Sequence, residues 1–395
     1  MIVAFGTYDA DRHPRVGVLV AGLTAHGREV VELNRPLGLT TAERVRMLRQ
    51  PWRLPLLALR LLRCWALLSA DAVRLRARRG APTAVLVGYL GHFDVLLARL
   101  LYPRTPLVLD HLVFAADTAT DRAARGLRVA LLRVLDQWAT GAADLVLVDT
   151  AEHLAMLRDP AKGAVVPVGA PDAWFAAGER QDSAVRKGDA VRKGDTVPQP
   201  AGEPLRVVFF GLYTPLQGAP VIGAALALAA EAEAGARLDV TMVGTGQDLA
   251  ATRTAAARAG QVGSSVRVTW RDWVAPGELP ALAAAHHVTL GIFSKTPKGQ
   301  RVVPNKVYQG LAAGTVVVTS DTAPQRRILG GHLELVPPGD PAALAARLAE
   351  LAEPGRYVAA AERARAGRDR VRPAAVAGPL LGALDAAGGP GDDRR

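Results

Sequence analysis

The chain predicts an α/β fold of two parallel-sheet domains in series, and three observations predict it. Short apolar runs recur along the length without polar alternation, as in Leu145-Val146-Leu147-Val148, the pattern of strands covered by helices on both faces. Segments of helical period separate most of them. A polar, Gly/Pro-rich stretch from Pro171 to Pro204 divides one series of such units from a second.

Taken in order, residues 1–6 read as a strand, 14–27 as a helix and 28–34 as a strand. A Leu/Arg-rich segment follows, then strands near 84–88, 106–112, 144–150 and 164–169. Residues 1–170 therefore form a Rossmann-like domain. Residues 171–204 read as a linker or flexible loop, and they hold a tandem hexapeptide, Ala184 to Asp189 and Ala190 to Asp195. A charged duplication of this kind is a tolerated feature of a solvated loop and is assigned no function. From Leu205 the rhythm restarts with strands over 206–210, 238–243, 266–270, 287–293, 315–320 and 333–336. The intervening helices are read over 219–231, 248–259, 278–285, 304–313 and 340–352, so residues 205–360 make a second Rossmann-like domain. Residues 361–395 supply a terminal helix, Glu362 to Arg370, and a disordered tail from Gly388. Ligands of such sheets bind at the carboxyl ends of the strands, so the expectation is two domains facing across a cleft.

With 395 residues, half of them hydrophobic, the chain can bury two ordinary cores. Its one cysteine, Cys64, excludes an internal disulfide, paired-thiol redox chemistry and a cysteine metal cluster, and fits a reducing cytoplasm. The strand-like start at Ile2-Val3-Ala4-Phe5 lacks the regions of a signal peptide, so the expected location is cytoplasmic. The formal charge of +11 is concentrated: residues 1–80 hold fourteen Arg, no Lys and six acids, a net +8. Trp52 to Leu68 is too short and too interrupted by arginine to span a bilayer. Arg46, Arg49, Arg53, Arg60 and Arg63 fall on one face of a helix kinked or broken at Pro51 and Pro55. Either this face makes a peripheral contact with the anionic inner face of the membrane, or its leucines pack on a sheet and its arginines face water. Nucleic acid is not an expected partner, because aromatic content is 5% and no zinc-finger or base-stacking signature appears.

The segment Arg301 to Asp321 carries the clearest chemistry. Pro304 opens a helix, Gly314 ends it, and Lys306 adds a full charge to the positive dipole end. That builds a phosphate site, or else an ordinary helix–strand unit with a solvated lysine. Two strand-to-helix loops add candidates, Gly211 to Gly218 and Val243-Gly244-Thr245-Gly246, where glycine permits close backbone approach to an anion.

These segments, in this order, resemble the two-domain GT-B glycosyltransferases and, among them, the retaining family 4, over nearly the whole chain apart from the linker and tail. Gly211 to Gly218 resembles the donor-phosphate loop, Val243 to Gly246 the VGxG turn, and Pro304 to Gly314 the helix that closes the donor site. In the first domain Gly6-Thr7-Tyr8 matches the loop after the first strand, while Gly91-His92 and Asp110-His111 match two strand-end histidine positions. Departures are present too. Leu212 and Gln217 stand where the common pattern has Arg and Lys, and Arg301 and Gln309 where it has its acidic pair. Members with a Pro-Leu-x-Gly loop and an Asn-Lys helix start are matched by Pro215 to Gly218 and Asn305-Lys306.

The resemblance implies transfer of a sugar from a nucleotide diphosphate sugar to an acceptor hydroxyl with retention, without a metal and with no cofactor besides the donor. It implies donor contacts at Gly211, Thr214, Gln217, Gly218 and Gly244, with Arg301 and Lys306 as the diphosphate's counter-charge and Asn305 and Gln309 beside them. It makes His111, Asp110 and Asp117 the candidate catalytic residues. Gly6, Thr7, Tyr8, Arg15 and His92 would border the acceptor, Arg15 holding an acceptor phosphate or facing solvent. The acceptor is a lipid-linked or cell-envelope glycan, or alternatively a soluble natural product. A non-catalytic sugar-nucleotide binder fits the missing cations and acids, and an epimerase of the same shape is a further alternative.

Overall fold

The computed structural model describes residues 1–9, 13–38, 50, 52, 54–89, 91–121, 124–188, 203–232, 236–259, 261 and 263–388. They group into two compact units, one drawn from Met1–Thr120, Ala124–Val166 and Val376–Arg395, the other from Asp121–Ala123 and Pro167–Ala375.

The first unit is a parallel sheet of six strands in the order β2-β1-β3-β4-β5-β6. The strands are β1 Ile2–Gly6, β2 Val30–Asn34, β3 Ala84–Val87, β4 Leu107–Asp110, β5 Leu145–Val148 and β6 Gly163–Val165. Because side chains alternate across a strand, Val3 and Phe5 face one core while Ile2 faces another. The helices are α1 Arg15–Ala25, α2 Leu54–Arg79, α3 Asp94–Leu101, α4 Ala115–Asp121, α5 Leu127–Ala142 and α6 Ala151–Leu154. Leu68 and Ala72 of α2, Val95 and Ala98 of α3 and Ala139 of α5 pack on the Val3 side. Val18, Leu19 and Leu23 of α1 pack on the Ile2 side.

The second unit repeats the plan with the order β12-β11-β10-β7-β8-β9, again all parallel. Its strands are β7 Leu205–Phe210, β8 Leu238–Val243, β9 Val266–Arg271, β10 Val288–Leu290, β11 Val316–Ser320 and β12 Glu334–Val336. Its helices are α7 Asp172–Gly188, α8 Ala219–Glu231, α9 Leu249–Ala255, α10 Leu279–Ala284, α11 Asn305–Ala312, α12 Ala323–Leu329, α13 Pro341–Leu351 and α14 Pro354–Gly367. The last helix, α15 Pro373–Gly388, places Val376 and Leu380 in the Ile2-side core of the first unit.

Three expectations need correction. The supposed linker begins with a helix, α7, whose Trp174, Phe175 and Ala177 are buried. Arg368 fastens it by donating to the Phe175 carbonyl at 2.7 Å, and the Arg372 guanidinium lies over the Phe175 ring at 4.4 Å. The first hexapeptide copy enters this helix, and residues 189–202 lie outside the described residues. The helix expected over Glu362 to Arg370 starts earlier, at Pro354, and is followed by α15, while the tail expected from Gly388 lies almost wholly outside the described residues. Finally, α2 runs unbroken from Leu54 to Arg79, because Pro55 sits in the first turn, where a missing N–H costs no bond. Arg46, Arg49, Pro51 and Arg53 lie outside the described residues. Among the described residues no helix is long and apolar enough to cross a membrane.

Candidate functional site

In the second unit the chemistry gathers at the carboxyl end of β7. The strand ends at Phe210 and Gly211 follows it, a single 3-10 turn covers Pro215–Gln217, and Gly218 caps α8 in the left-handed region, at φ 62°. A Cβ at Gly218 would stand 2.6 Å from the backbone of Phe293 and Ser294, so the loop closes tightly on the segment after β10. Gly244 is more constrained. At φ +121° its Cβ would lie 1.9 Å from the Gly211 carbonyl oxygen.

Lys306, in the first turn of α11, reaches into this loop. Its Nζ donates to Gln217 Oε1, lies 3.8 Å from the centre of the Phe209 ring, and is 3.1 Å from where a Gly211 Cβ would be. The side chain is 5% exposed and pairs with no carboxylate among the described residues. Burial holds its pKa well below the usual lysine range. The structure thus brings together Gly211, Gln217 and Lys306, with Gly244 against Gly211. Thr214 starts the 3-10 turn, Asn305 and Gln309 share α11 with Lys306, and Arg301 lies in the turn before it. Pro304 is the residue just before the helix rather than its first. The sequence reading missed the built turn after β10, where Thr296 N donates to Ser294 Oγ at 2.9 Å and Gln300 Nε2 to the Ser294 carbonyl at 2.9 Å. A Ser-x-Thr spacing after a strand was its only signal.

In the first unit His92 and His111 meet around an acid that the sequence reading also missed. Asp136 of α5 is 2.9 Å from His92 Nε2, accepts from the backbone amides of Ala115 and Ala116 at 2.9 and 3.1 Å, and is 4.0 Å from His111 Nε2. All three side chains are buried, and their ligand-capable atoms lie within 4.8 Å of one another, a spacing a divalent ion accepts. Burial works to raise the Asp136 carboxyl, but His92 and the two amides outweigh it and hold the group below its ordinary range. His111 Nε2 has no hydrogen-bond partner among the described residues, and burial, reinforced by His92, lowers the ring to a pKa of about 3. It is a neutral imidazole at the end of β4. Phe114 stacks edge-on against it, with ring centroids 4.5 Å apart, and separates it from a second buried pair, His153 and Asp149, at 2.5 Å. A lone acid within the Leu/Arg run of α5 was the only sequence sign of Asp136.

The other first-unit candidates have protein partners. Thr7 donates through both N and Oγ1 to Asp94 Oδ2 at 2.8 Å, and Trp65 Nε1 donates to Asp94 Oδ1 at 2.8 Å. Tyr8 donates to Glu32 at 2.8 Å, and Gly6, at φ +154°, packs against Tyr8 and Asp94. Arg15, expected at an acceptor phosphate or in solvent, is instead buried in an ion pair with Asp110 at 2.6 Å and donates to the Val166 carbonyl at 3.0 Å. Burial pushes the Asp110 carboxyl up and Arg15 pulls it back; its second oxygen has no partner among the described residues. Asp117 is half-buried on α4.

Residues 204–354 match the family model described as Glycosyl transferases group 1. The matched stretch runs from β7 to just past the end of α13 in the second unit. Among solved structures, HepE of Anabaena, determined in complex with UDP, superposes on the chain with a TM-score of 0.58 at 15% identity, covering 98% of this chain and 99% of that one. The α,α-trehalose-phosphate synthase (UDP-forming) of Burkholderia vietnamiensis gives 0.63 at 15% identity over 98% and 97%. Sucrose-phosphate synthase of Thermosynechococcus elongatus gives 0.56 at 16% identity over 83% and 79%. No curated protein matches the chain by sequence. At such identities the likeness establishes the GT-B fold, and the site residues of the second unit rest on its own geometry.

Proposed function

We propose that the protein transfers a sugar from a nucleotide diphosphate sugar to an acceptor hydroxyl, with retention at the anomeric carbon and without a metal. The observation that carries this reading is Lys306, a buried amine beside the Gly211 backbone with no carboxylate partner among the described residues. A buried cation without a counter-ion is costly, and a diphosphate bound at the end of β7 supplies that counter-ion. Gln217 stands where the common pattern has lysine, and Lys306 reaches it from another helix, so the charge enters from α11 instead of from the loop. The ammonium is then placed to stabilise the leaving diphosphate, with Arg301 adding charge and Asn305, Gln309, Thr214, Gly218 and Gly244 shaping the donor pocket.

In the first unit, neutral His111, packed edge-on against the His92 and Phe114 rings, is the group suited to a hydrogen bond with the reacting sugar. Asp117, and Asp110 through its free oxygen, are the proposed partners of the acceptor hydroxyl. Gly6, Thr7, Tyr8 and Arg15 act in this reading by shaping the acceptor side, since their side chains are engaged within the protein. The acceptor we favour is lipid-linked or a cell-envelope glycan, on the cytoplasmic side of an anionic membrane, because the arginine excess of residues 1–80 complements that surface. A soluble acceptor and a non-catalytic nucleotide-sugar binder are the competing readings; the second draws support from Arg301 and Gln309 at the positions of the family's acidic pair.

The test is thermal stabilisation by UDP, GDP, ADP and dTDP and their sugars, with and without EDTA, followed by diphosphate release on incubation with acceptor. We expect one nucleotide to raise the melting temperature, EDTA to leave the shift unchanged, and Lys306→Ala to abolish it. No shift with any nucleotide overturns the donor site; a shift without turnover converts the reading to a binder.

A further inference from the structure

The outer surface of the first unit carries an apolar stripe that its core does not use. On α5, Leu127, Leu131, Val134 and Trp138 are 76, 61, 41 and 65% exposed. Their spacings of four, three and four put them on one line of the helix, opposite buried Asp136. Four large apolar side chains in a row, one of them tryptophan, are not the scattered exposures of an ordinary surface.

Two neighbouring helices expose further leucines. α3 packs against both α2 and α5 and exposes Leu100. α2 exposes Leu56, Leu59, Leu62 and Leu67.

The charge around these residues has one sign. Arg128 and Arg133 flank the α5 stripe on either side, Arg60 and Arg63 lie among the α2 leucines, and all four are exposed with no carboxylate partner among the described residues. Each of the three helices has a single acid, and each is committed elsewhere. Asp71 pairs with Arg35 and Arg74, Asp94 is buried under Thr7 and Trp65, and Asp136 is buried under His92.

We infer that α5 is a membrane-seating helix, and that its stripe, together with the exposed leucines of α2 and α3, docks this unit on an anionic lipid surface. An apolar line bordered by unpaired arginines matches the acyl–headgroup boundary, where the line sinks among the chains and the guanidinium groups meet lipid phosphate. A second copy of this chain would bring the same arginines face to face, which disfavours self-association. The inference deepens the membrane contact proposed above by naming the helix that makes it. It does not depend on sugar transfer in the second unit.

The experiment is co-sedimentation of the full chain with phosphatidylcholine vesicles, with and without phosphatidylglycerol, for the native protein, Leu131→Asp/Trp138→Asp and Arg60→Glu/Arg63→Glu. The melting temperature and any nucleotide-induced shift of each variant serve as fold controls. We expect the native protein to bind the anionic vesicles, to lose binding as salt rises, and to lose at least about 10-fold in bound fraction with the α5 variant. If the α5 variant binds like the native protein and the α2 variant does not, the contact is α2 alone and the α5 inference is overturned. Absence of binding to any vesicle overturns both membrane contacts while leaving a nucleotide shift untouched. Equal binding to neutral vesicles overturns the charge match, and a native dimer that the α5 variant converts to monomer assigns the stripe to self-association instead.

Discussion

His111 shows how one side chain's surroundings set its chemistry. Its folded-state pKa of about 3 lies below the ordinary 6.5, so between those values the unfolded chain binds the extra proton and the folded chain does not. Stability contributed by this neutral ring is complete above the ordinary value and is lost as pH falls through the window. At about pH 5 the loss is on the order of 2 kcal/mol. His287, also lowered to about 3, adds a similar slope, so the comparison must isolate His111. We expect His111→Gln to show a shallower loss of stability between neutral pH and pH 5 than the native protein, measured by urea denaturation at each pH. Equal slopes would mean that the ring is protonated in the fold. The same position illustrates what sequence conveys at this scale: a strand-end histidine was legible, but not the buried Asp136 that sets its neighbour, because nothing in a Leu/Arg helix says which turn faces inward.

At the scale of elements, the loops of the second unit are fixed by backbone approach more than by side-chain bonds. Gly244 follows β8 and touches the Gly211 carbonyl at the end of β7, two strands paired in register from Leu205↔Leu238 to Phe210↔Val243. A methyl group there meets backbone, which cannot rotate away, and it sits at a φ that L residues resist. Gly244→Ala should therefore push the Gly211 loop off its position, costing about 2 kcal/mol or more and removing the nucleotide-induced melting shift. A variant that keeps the full shift would show that the loop does not hold the diphosphate. Both glycines were legible as loop candidates because a strand-to-helix turn must fall there. The approach between them was not, since adjacency of β7 and β8 does not specify how far their ends overhang. The α5 stripe was hidden for a similar reason: Val129, Leu132 and Leu135 are as apolar as Leu131 and Val134, and only the packed sheet decides which set is covered.

For the whole molecule, the strand–helix rhythm made the two sheets legible almost strand by strand, because buried parallel strands must be continuous apolar runs. The ends of the units were not. Residues 373–388 read PAAVAGPLLGALDAAG, a composition as fit for a tail as for a helix, yet they form α15 and complete the first unit's Ile2-side core. Val376 and Leu380 are each 1% exposed and cover Ile2, Val18, Leu19 and Leu23. Burial of two such side chains is worth about 3–6 kcal/mol, a large part of the roughly 5–15 kcal/mol that holds a domain folded. The Arg28–Asp385 ion pair at 2.7 Å adds little, since both side chains are about half exposed or more. A chain ended after Arg372 should therefore lose stability in its first unit while the second unit keeps its nucleotide-induced shift. Scanning calorimetry would show a transition moved to lower temperature or lost, accompanied by binding of a hydrophobic dye to the uncovered face. A truncated chain whose transitions are unchanged would mean that α15 rests on this surface without stabilising it, and Val376→Asp in the full chain, a buried charge at the same contact, would decide whether the contact forms at all.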